Sequence, residues 1–83
     1  MKYNSVTYNY DKKNNRYRFF YEAEYFENGH HIQSGNLFLF DVYIVNNHYV
    51  VMKCISQPVY CCNTFDQILS YVAILTKCKP EQK

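Results

Sequence analysis

Glycine and proline are scarce in this chain of 83 residues, which contains two of each. Linkers and disordered segments are rich in such residues and poor in aromatic ones, whereas this sequence has ten Tyr and six Phe. The composition therefore excludes a linker or a disordered tail. It predicts a single folded domain, residues 1–83, close to the lower size limit for one hydrophobic core, where dimerisation would add stability.

Long hydrophobic runs are also lacking. No apolar run near the N-terminus has the length of a signal-peptide core, and none anywhere approaches the roughly 20 residues that cross a bilayer. We therefore expect an intracellular, cytoplasmic protein that does not use a membrane. In that compartment cysteines are expected to be free thiols. The four are Cys54, Cys61, Cys62 and Cys78.

Motifs for metal binding or catalysis are missing as well. Cys61 and Cys62 are adjacent and would point apart on an extended chain, whereas zinc sites use pairs spaced as C-x₂-C or H-x₃-H. A nucleophile pair such as Cys62 with His48 is formally possible, but no motif supplies an orienting group or an oxyanion donor. We expect no enzyme activity, no metal and no cofactor.

Alternating residues predict a first β-hairpin. The strand over residues 2–10 places on one side Val6, Tyr8 and Tyr10. The strand over residues 16–26 places on its core side Tyr17, Phe19, Tyr21, Ala23 and Tyr25. The turn between them contains Asn14-Asn15, and an even number of turn residues puts the aromatic side chains of both strands on one face.

Residues 36–55 predict a second hairpin at the centre of the sheet, because two apolar runs are joined by Asn46-Asn47. We assign to the core face Phe38, Phe40, Val42, Ile44, Tyr49, Val51, Lys53 and Ile55. We assign to the opposite face Leu39, Asp41, Tyr43, Val45, His48, Val50, Met52 and Cys54. Residues 27–36, which hold both glycines, predict a long mobile loop between the hairpins.

A C-terminal helix follows the sheet. Pro58 is expected to end the fourth strand, and Thr64 with Gln67 has the spacing of a capping box. Helical spacing selects an apolar stripe formed by Phe65, Ile68, Leu69, Val72 and Leu75. Lys77 and Lys79 suit the helix end, which Pro80 closes. The predicted fold is α+β: a four-stranded antiparallel β-meander with one C-terminal helix packed on one face.

One helix covers one face of such a sheet, so the opposite face stays apolar and bare. We predict that it is a protein-binding surface, used either by a homodimer or by another protein. Its residues are Phe20, Phe26, Leu39, Tyr43, Val45, Val50 and Met52. The alternative is that the loop over residues 27–36 folds back over this face.

Nucleic-acid binding is a second hypothesis. The chain has basic ends, and a basic cluster in the first hairpin stands beside sheet tyrosines that could stack on bases. It consists of Lys12, Lys13, Arg16 and Arg18. Against this, Glu22 and Glu24 continue the face of the two arginines and would repel a phosphate backbone.

Tyr, Asn and Lys are heavily used, and their codons are A/T-rich. With the small size and the lack of chemical motifs, this usage favours an accessory protein of a virus, phage or mobile element. We hypothesise that such a protein would act as an inhibitor of a host protein.

Overall fold

The computed structural model describes residues 2–54 and 57–83, with side chains for residues 5–23, 27–30, 34–53 and 57–83. Its elements are β1 (Lys2–Asp11), β2 (Arg16–Glu27), β3 (His30–Val45), β4 (His48–Cys54), β5 (Gln57–Cys62), α1 (Phe65–Thr76) and β6 (Pro80–Gln82). The strands form one six-stranded sheet in the order β5-β4-β3-β2-β1-β6. The predicted α+β class with a C-terminal helix is confirmed, but the predicted count of four strands is wrong.

The first hairpin has the predicted register. β1 and β2 are antiparallel, with Tyr8 opposite Phe19 and Tyr10 opposite Tyr17. The turn between Asp11 and Arg16 has four residues, an even number, so the aromatic side chains of both strands share the core face. Tyr8 stacks on Phe19 with ring centroids 5.1 Å apart.

The predicted mobile loop over residues 27–36 is wrong. Asn28 and Gly29 form a tight turn with φ values of 52° and 78°, and β3 begins directly after it at His30. Asn-Gly is the favoured pair for such a turn because both residues adopt positive φ readily. Residues 30–36 therefore pair with β2 in the plane of the sheet, so they do not fold back over the bare face.

An extra residue in β3 changes which side chains face the core. Phe19 lies opposite Phe40, but the next residue of β2, Phe20, lies opposite Phe38, so that Leu39 is a β-bulge. The bulge reverses the alternation of β3 on its N-terminal side. The core assignment of Phe38 is therefore wrong, and Leu39 packs against the core cluster instead.

The central hairpin is confirmed. Asn46 and Asn47 have φ values of 50° and 65°, and the register places Val42 opposite Val51 and Tyr43 opposite Val50. Pro58 does not end the fourth strand, because β4 already ends at Cys54 and Pro58 lies within β5, an edge strand that can include a residue without a backbone N–H. A register shift between β4 and β5 accompanies it.

The helix begins as predicted. The Thr64 hydroxyl accepts a hydrogen bond from the Gln67 backbone N–H at 3.3 Å, and the Gln67 side chain accepts one from the Thr64 N–H at 3.1 Å. The helix ends at Thr76, followed by Lys77 in the left-handed conformation. Pro80 opens β6, which runs parallel to β1 with Pro80 beside Val6. The helix thus crosses from one edge of the sheet to the other.

The core lies between α1 and the adjacent face of the sheet. Its buried residues are Val6, Phe19, Phe40, Val42, Val51, Cys62, Ile68 and Val72. Phe65 and Leu69 pack against this cluster, but Leu75 is 56% exposed, so its place in the predicted apolar stripe is wrong. The helix ends one residue after Leu75. Among the residues that the structure describes, no helix is long and apolar enough to cross a bilayer.

Candidate protein-binding face

The face of the sheet opposite α1, called the outer face here, takes the side chains that alternate with the core residues. Strand β2 contributes Arg16, Arg18, Phe20 and Glu22, whose neighbours Tyr17 and Phe19 point to the helix. The paired strands β3 and β4 contribute Asp41 with Met52 and Tyr43 with Val50. No element among the described residues lies over this face.

An apolar patch occupies the part of the outer face near the Asn46-Asn47 turn. Four side chains line a shallow concavity of about 350 Å³: Tyr43, Val45, Val50 and Met52. Val45 is 49% exposed, and the other three are partly buried by their neighbours. They lie on two directly paired strands, so their spacing is held by backbone hydrogen bonds.

A pair of phenylalanines lies further along the same face. Phe20 and Phe38 make an edge-to-face contact with ring centroids 5.7 Å apart, and Phe38 is 42% exposed. Arg18 covers part of this pair, because its guanidinium carbon is 5.0 Å from the centroid of the Phe38 ring. The bulge at Leu39 brings Phe38 to this position.

Between the two apolar groups lies an ion-pair network. Arg16 donates from Nε to Asp11 at 2.9 Å and from Nη1 to Asp41 at 3.2 Å, and Arg18 donates from Nε to the other oxygen of Asp41 at 3.0 Å. Arg16 Nη1 also donates to the Tyr43 hydroxyl at 3.0 Å. Two arginines and two aspartates thus compensate one another, and the network adds no net charge to the face.

The network shifts the acid–base equilibria of Arg16 and Asp11. The hydrogen bond with Tyr43, followed by that with Asp11, raises the pKa of Arg16 above its ordinary value. The hydrogen bond donated by Asn14, together with Arg16, lowers the pKa of Asp11. Both shifts favour the charged forms of Arg16 and Asp11.

The network does not separate the apolar groups completely. A second concavity of about 300 Å³ runs between them and is lined by Arg16, Arg18, Phe38, Asp41, Tyr43, Met52 and Lys53. Phe38 and Met52 therefore border the same depression. We call the six apolar residues of this face the outer patch: Phe20, Phe38, Tyr43, Val45, Val50 and Met52.

At the β1 end of the face, a fourth ion pair joins β2 to the residue that follows β6. Lys83 Nζ lies 3.1 Å from Glu22 Oε1, and the Thr7 hydroxyl donates to the same oxygen at 2.9 Å. The hydrogen bond from Lys83, followed by that from Thr7, lowers the pKa of Glu22. This end of the outer face is therefore polar.

The structure brings together most of the residues predicted for the protein-binding surface. Phe20, Tyr43, Val45, Val50 and Met52 share the outer face. Leu39 does not, because the bulge turns it towards the core cluster. The side chain of Phe26 lies outside the described residues. Phe38 was missed, since a bulge leaves no local mark in the sequence.

The basic residues of the nucleic-acid hypothesis are divided. Arg16 and Arg18 are held by Asp11 and Asp41. Lys12 and Lys13 lie exposed in the turn between β1 and β2, and no described carboxylate lies within ion-pair distance of either. The cluster thus offers two uncompensated charges rather than four.

The cysteines and histidines do not form a cluster that could hold a metal ion, as far as the described residues show. Cys61 is exposed and Cys62 is buried, and burial raises the pKa of the Cys62 thiol. His48 Nδ1 lies 2.6 Å from the side-chain oxygen of Asn63. Among the described residues, His48 thus contacts Asn63 rather than Cys62, whose thiol donates to the Thr64 carbonyl oxygen at 3.4 Å.

Comparison of the chain with protein-family models, curated proteins and solved structures finds no match.

Proposed function

We propose that this chain is a non-enzymatic, intracellular protein-binding module and that the outer patch is its binding surface. The observation that carries the proposal is the asymmetry of the two faces. The single helix packs on one face, while the other carries six exposed or half-buried apolar side chains. Aromatic residues and Met are typical of interface centres, and such a surface is costly to leave in water.

The composition of the face also indicates the kind of partner. The Arg16–Asp41 network has no net charge, so it does not select a strongly charged partner. It offers a hydrogen-bonding rim beside the hollow between Phe38 and Met52. A partner that inserts an apolar side chain there and places polar groups around it fits this chemistry best.

A pair of lysine substitutions tests the proposal. Val45→Lys places a charge in the outer patch, and Leu75→Lys places one on the exposed side of α1, where the exposure is similar. The partner is first identified by cross-linking in the source cell, and its affinity is then measured with purified proteins. We expect at least a tenfold loss of affinity for Val45→Lys and none for Leu75→Lys. Equal affinities of the two variants would refute the proposed surface.

Self-association through the same patch is the other form of the proposal. Sedimentation of the Val45→Lys and Leu75→Lys variants distinguishes self-association through the outer patch from binding of a different protein. A finer hypothesis is that the partner is a host protein inhibited by a viral, phage or mobile-element protein. It is supported by the small size of the chain, the lack of chemical motifs in its sequence and the heavy use of Tyr, Asn and Lys, whose codons are A/T-rich.

Nucleic-acid binding stays the alternative, with Lys12 and Lys13 as its main support. Fluorescence anisotropy with labelled single-stranded DNA and RNA tests it. Binding that falls steeply with salt and disappears in a Lys12→Glu, Lys13→Glu variant would favour this alternative over the protein-binding proposal.

A further inference from the structure

Strand β3 is much longer than its neighbour β4. β2 pairs with β3 from Tyr43 to His30, whereas β4 pairs with it only from Asp41 to Val45 within the described residues. β5, which begins at Gln57, is antiparallel to β4 and lies on the side of β4 away from β3. One edge of β3 over residues 30–40 is therefore left without a neighbouring strand in the described part of the chain. The molecule is 50 Å long, which matches the length of an extended strand of 16 residues such as β3.

The ladder pattern shows which backbone groups point to this open edge. The Ile44 N–H donates to the Asn15 carbonyl at 3.3 Å, so the backbone N–H and C=O groups of Ile44 point towards β2. Hydrogen-bonded pairs recur at every second residue, and after the bulge they continue with Leu37 opposite Tyr21 and Gly35 opposite Ala23. The backbone N–H and C=O groups of the intervening residues point outward. These residues are Ser34, Asn36 and Phe38.

The other two edges of the sheet are protected against strand pairing. β5 contains Pro58 and a register shift, and β6 is three residues long and begins with Pro80. Short strands, prolines and bulges are the usual means by which proteins prevent edge-to-edge association. Residues 28–40 contain no Pro, Lys, Arg, Asp or Glu. The open edge of β3 has a bulge at each end, at Ile32 and at Leu39, and its register with β2 is regular over residues 33–38 between them.

We propose that two copies of this chain pair antiparallel through the open edges of β3, around residues 34–38, and form one continuous sheet. In a two-fold pairing over residues 34–38, Asn36 lies on the axis and faces its own copy, so a charge at that position would meet its own sign. The uncharged segment avoids this repulsion. Leu37, 52% exposed, and Phe38 would be covered on opposite faces of the joined sheet. The pairing uses backbone groups and goes beyond the proposed function.

Sedimentation equilibrium over a hundredfold range of protein concentration tests the pairing. We expect a reversible dimer for the wild-type chain. Asn36→Pro removes an outward N–H without removing a bond to β2, and Asn36→Lys adds a charge that would face its copy. Each should raise the dimer dissociation constant at least tenfold. Val59→Lys, on the protected β5 edge, is the matched control and should leave it unchanged.

Amide hydrogen exchange gives a second readout that needs no substitution. The amides of Ser34, Asn36 and Phe38 should become more protected as the protein concentration rises, whereas that of Cys61 on β5 should not. Far-ultraviolet circular dichroism checks that the variants fold. A wild-type chain that stays monomeric, a dimer that both Asn36 variants retain, or a dimer that Val59→Lys abolishes would overturn the proposal.

Discussion

Phe20 packs edge-on against Phe38 across β2 and β3, with ring centroids 5.7 Å apart, although a regular ladder would place Phe20 opposite Leu39. The single extra residue sends Leu39 into the core and Phe38 to the outer face. The content of the outer patch, and with it the proposed binding surface, therefore depends on one irregularity of one strand.

Replacement of these two residues should have unequal effects on stability. Leu39→Ala removes a side chain that packs against the core and should lower the free energy of unfolding by about 2 kcal/mol. Phe38→Ala removes a half-exposed side chain and should lower it by less than about 1 kcal/mol. Urea denaturation measures both. A larger loss for Phe38→Ala would contradict the position of the bulge.

The capping box of α1 should contribute measurably to stability. Thr64→Ala leaves the Gln67 N–H without its side-chain acceptor and should lower the free energy of unfolding by about 1 kcal/mol. Thr64→Asp supplies another acceptor and should restore most of it. Ser70→Ala, at an exposed position in the same helix, is the control. If thermal unfolding shows the same loss for Thr64→Asp as for Thr64→Ala, the cap does not act in this way.

Asp41 should be the most sensitive member of the ion-pair network, because its two oxygens accept from two different arginines. Asp41→Asn removes the charge between Arg16 and Arg18 and should lower the free energy of unfolding by about 2 kcal/mol. Asp66→Asn, on the exposed first turn of α1, is the control and should cost about 0.5 kcal/mol or less. Equal losses for the two variants, measured by urea denaturation, would show that the network does not stabilise the fold.

Stability should fall as the pH drops into the acid range. The pKa of Glu22 is lowered from its ordinary value of 4.5, so the folded state binds fewer protons than the unfolded state in this range. Its contribution is present above the ordinary value and is lost as the pH falls through the lowered pKa. Denaturation at a series of pH values below 5 should show a weaker dependence in Lys83→Met. An unchanged dependence would mean that the Glu22–Lys83 pair has no role in it.

Much of the fold could be predicted because it is encoded in neighbouring residues. Asn46-Asn47 specifies a two-residue turn through positive φ, and Thr64 with Gln67 specifies a helix start through two reciprocal hydrogen bonds. The parity of the first turn then aligned Tyr8 with Phe19. Each of these features depends on a few residues close together in the chain.

Other features were missed because distant residues decide them. Asn28-Gly29 is a local signal for a tight turn, but the mostly polar residues 30–36 do not by themselves indicate that β3 begins at His30. The place of β6 depends on Val6, far away in the chain, and β5 tolerates Pro58 only because it became an edge strand. An edge is a property of the assembled sheet.

By itself, the amino-acid sequence determined the elements: alternating aromatic strands, Asn-rich turns and a capped amphipathic helix, all of which follow from short-range sterics and hydrogen bonding. Only the tertiary structure decided that α1 covers a single face, that Leu39 exchanges places with Phe38, and that one edge of β3 has no partner strand among the described residues. The physical reason is that burial and strand pairing depend on which distant segments meet, and a one-residue bulge is enough to reverse the face of every side chain beyond it.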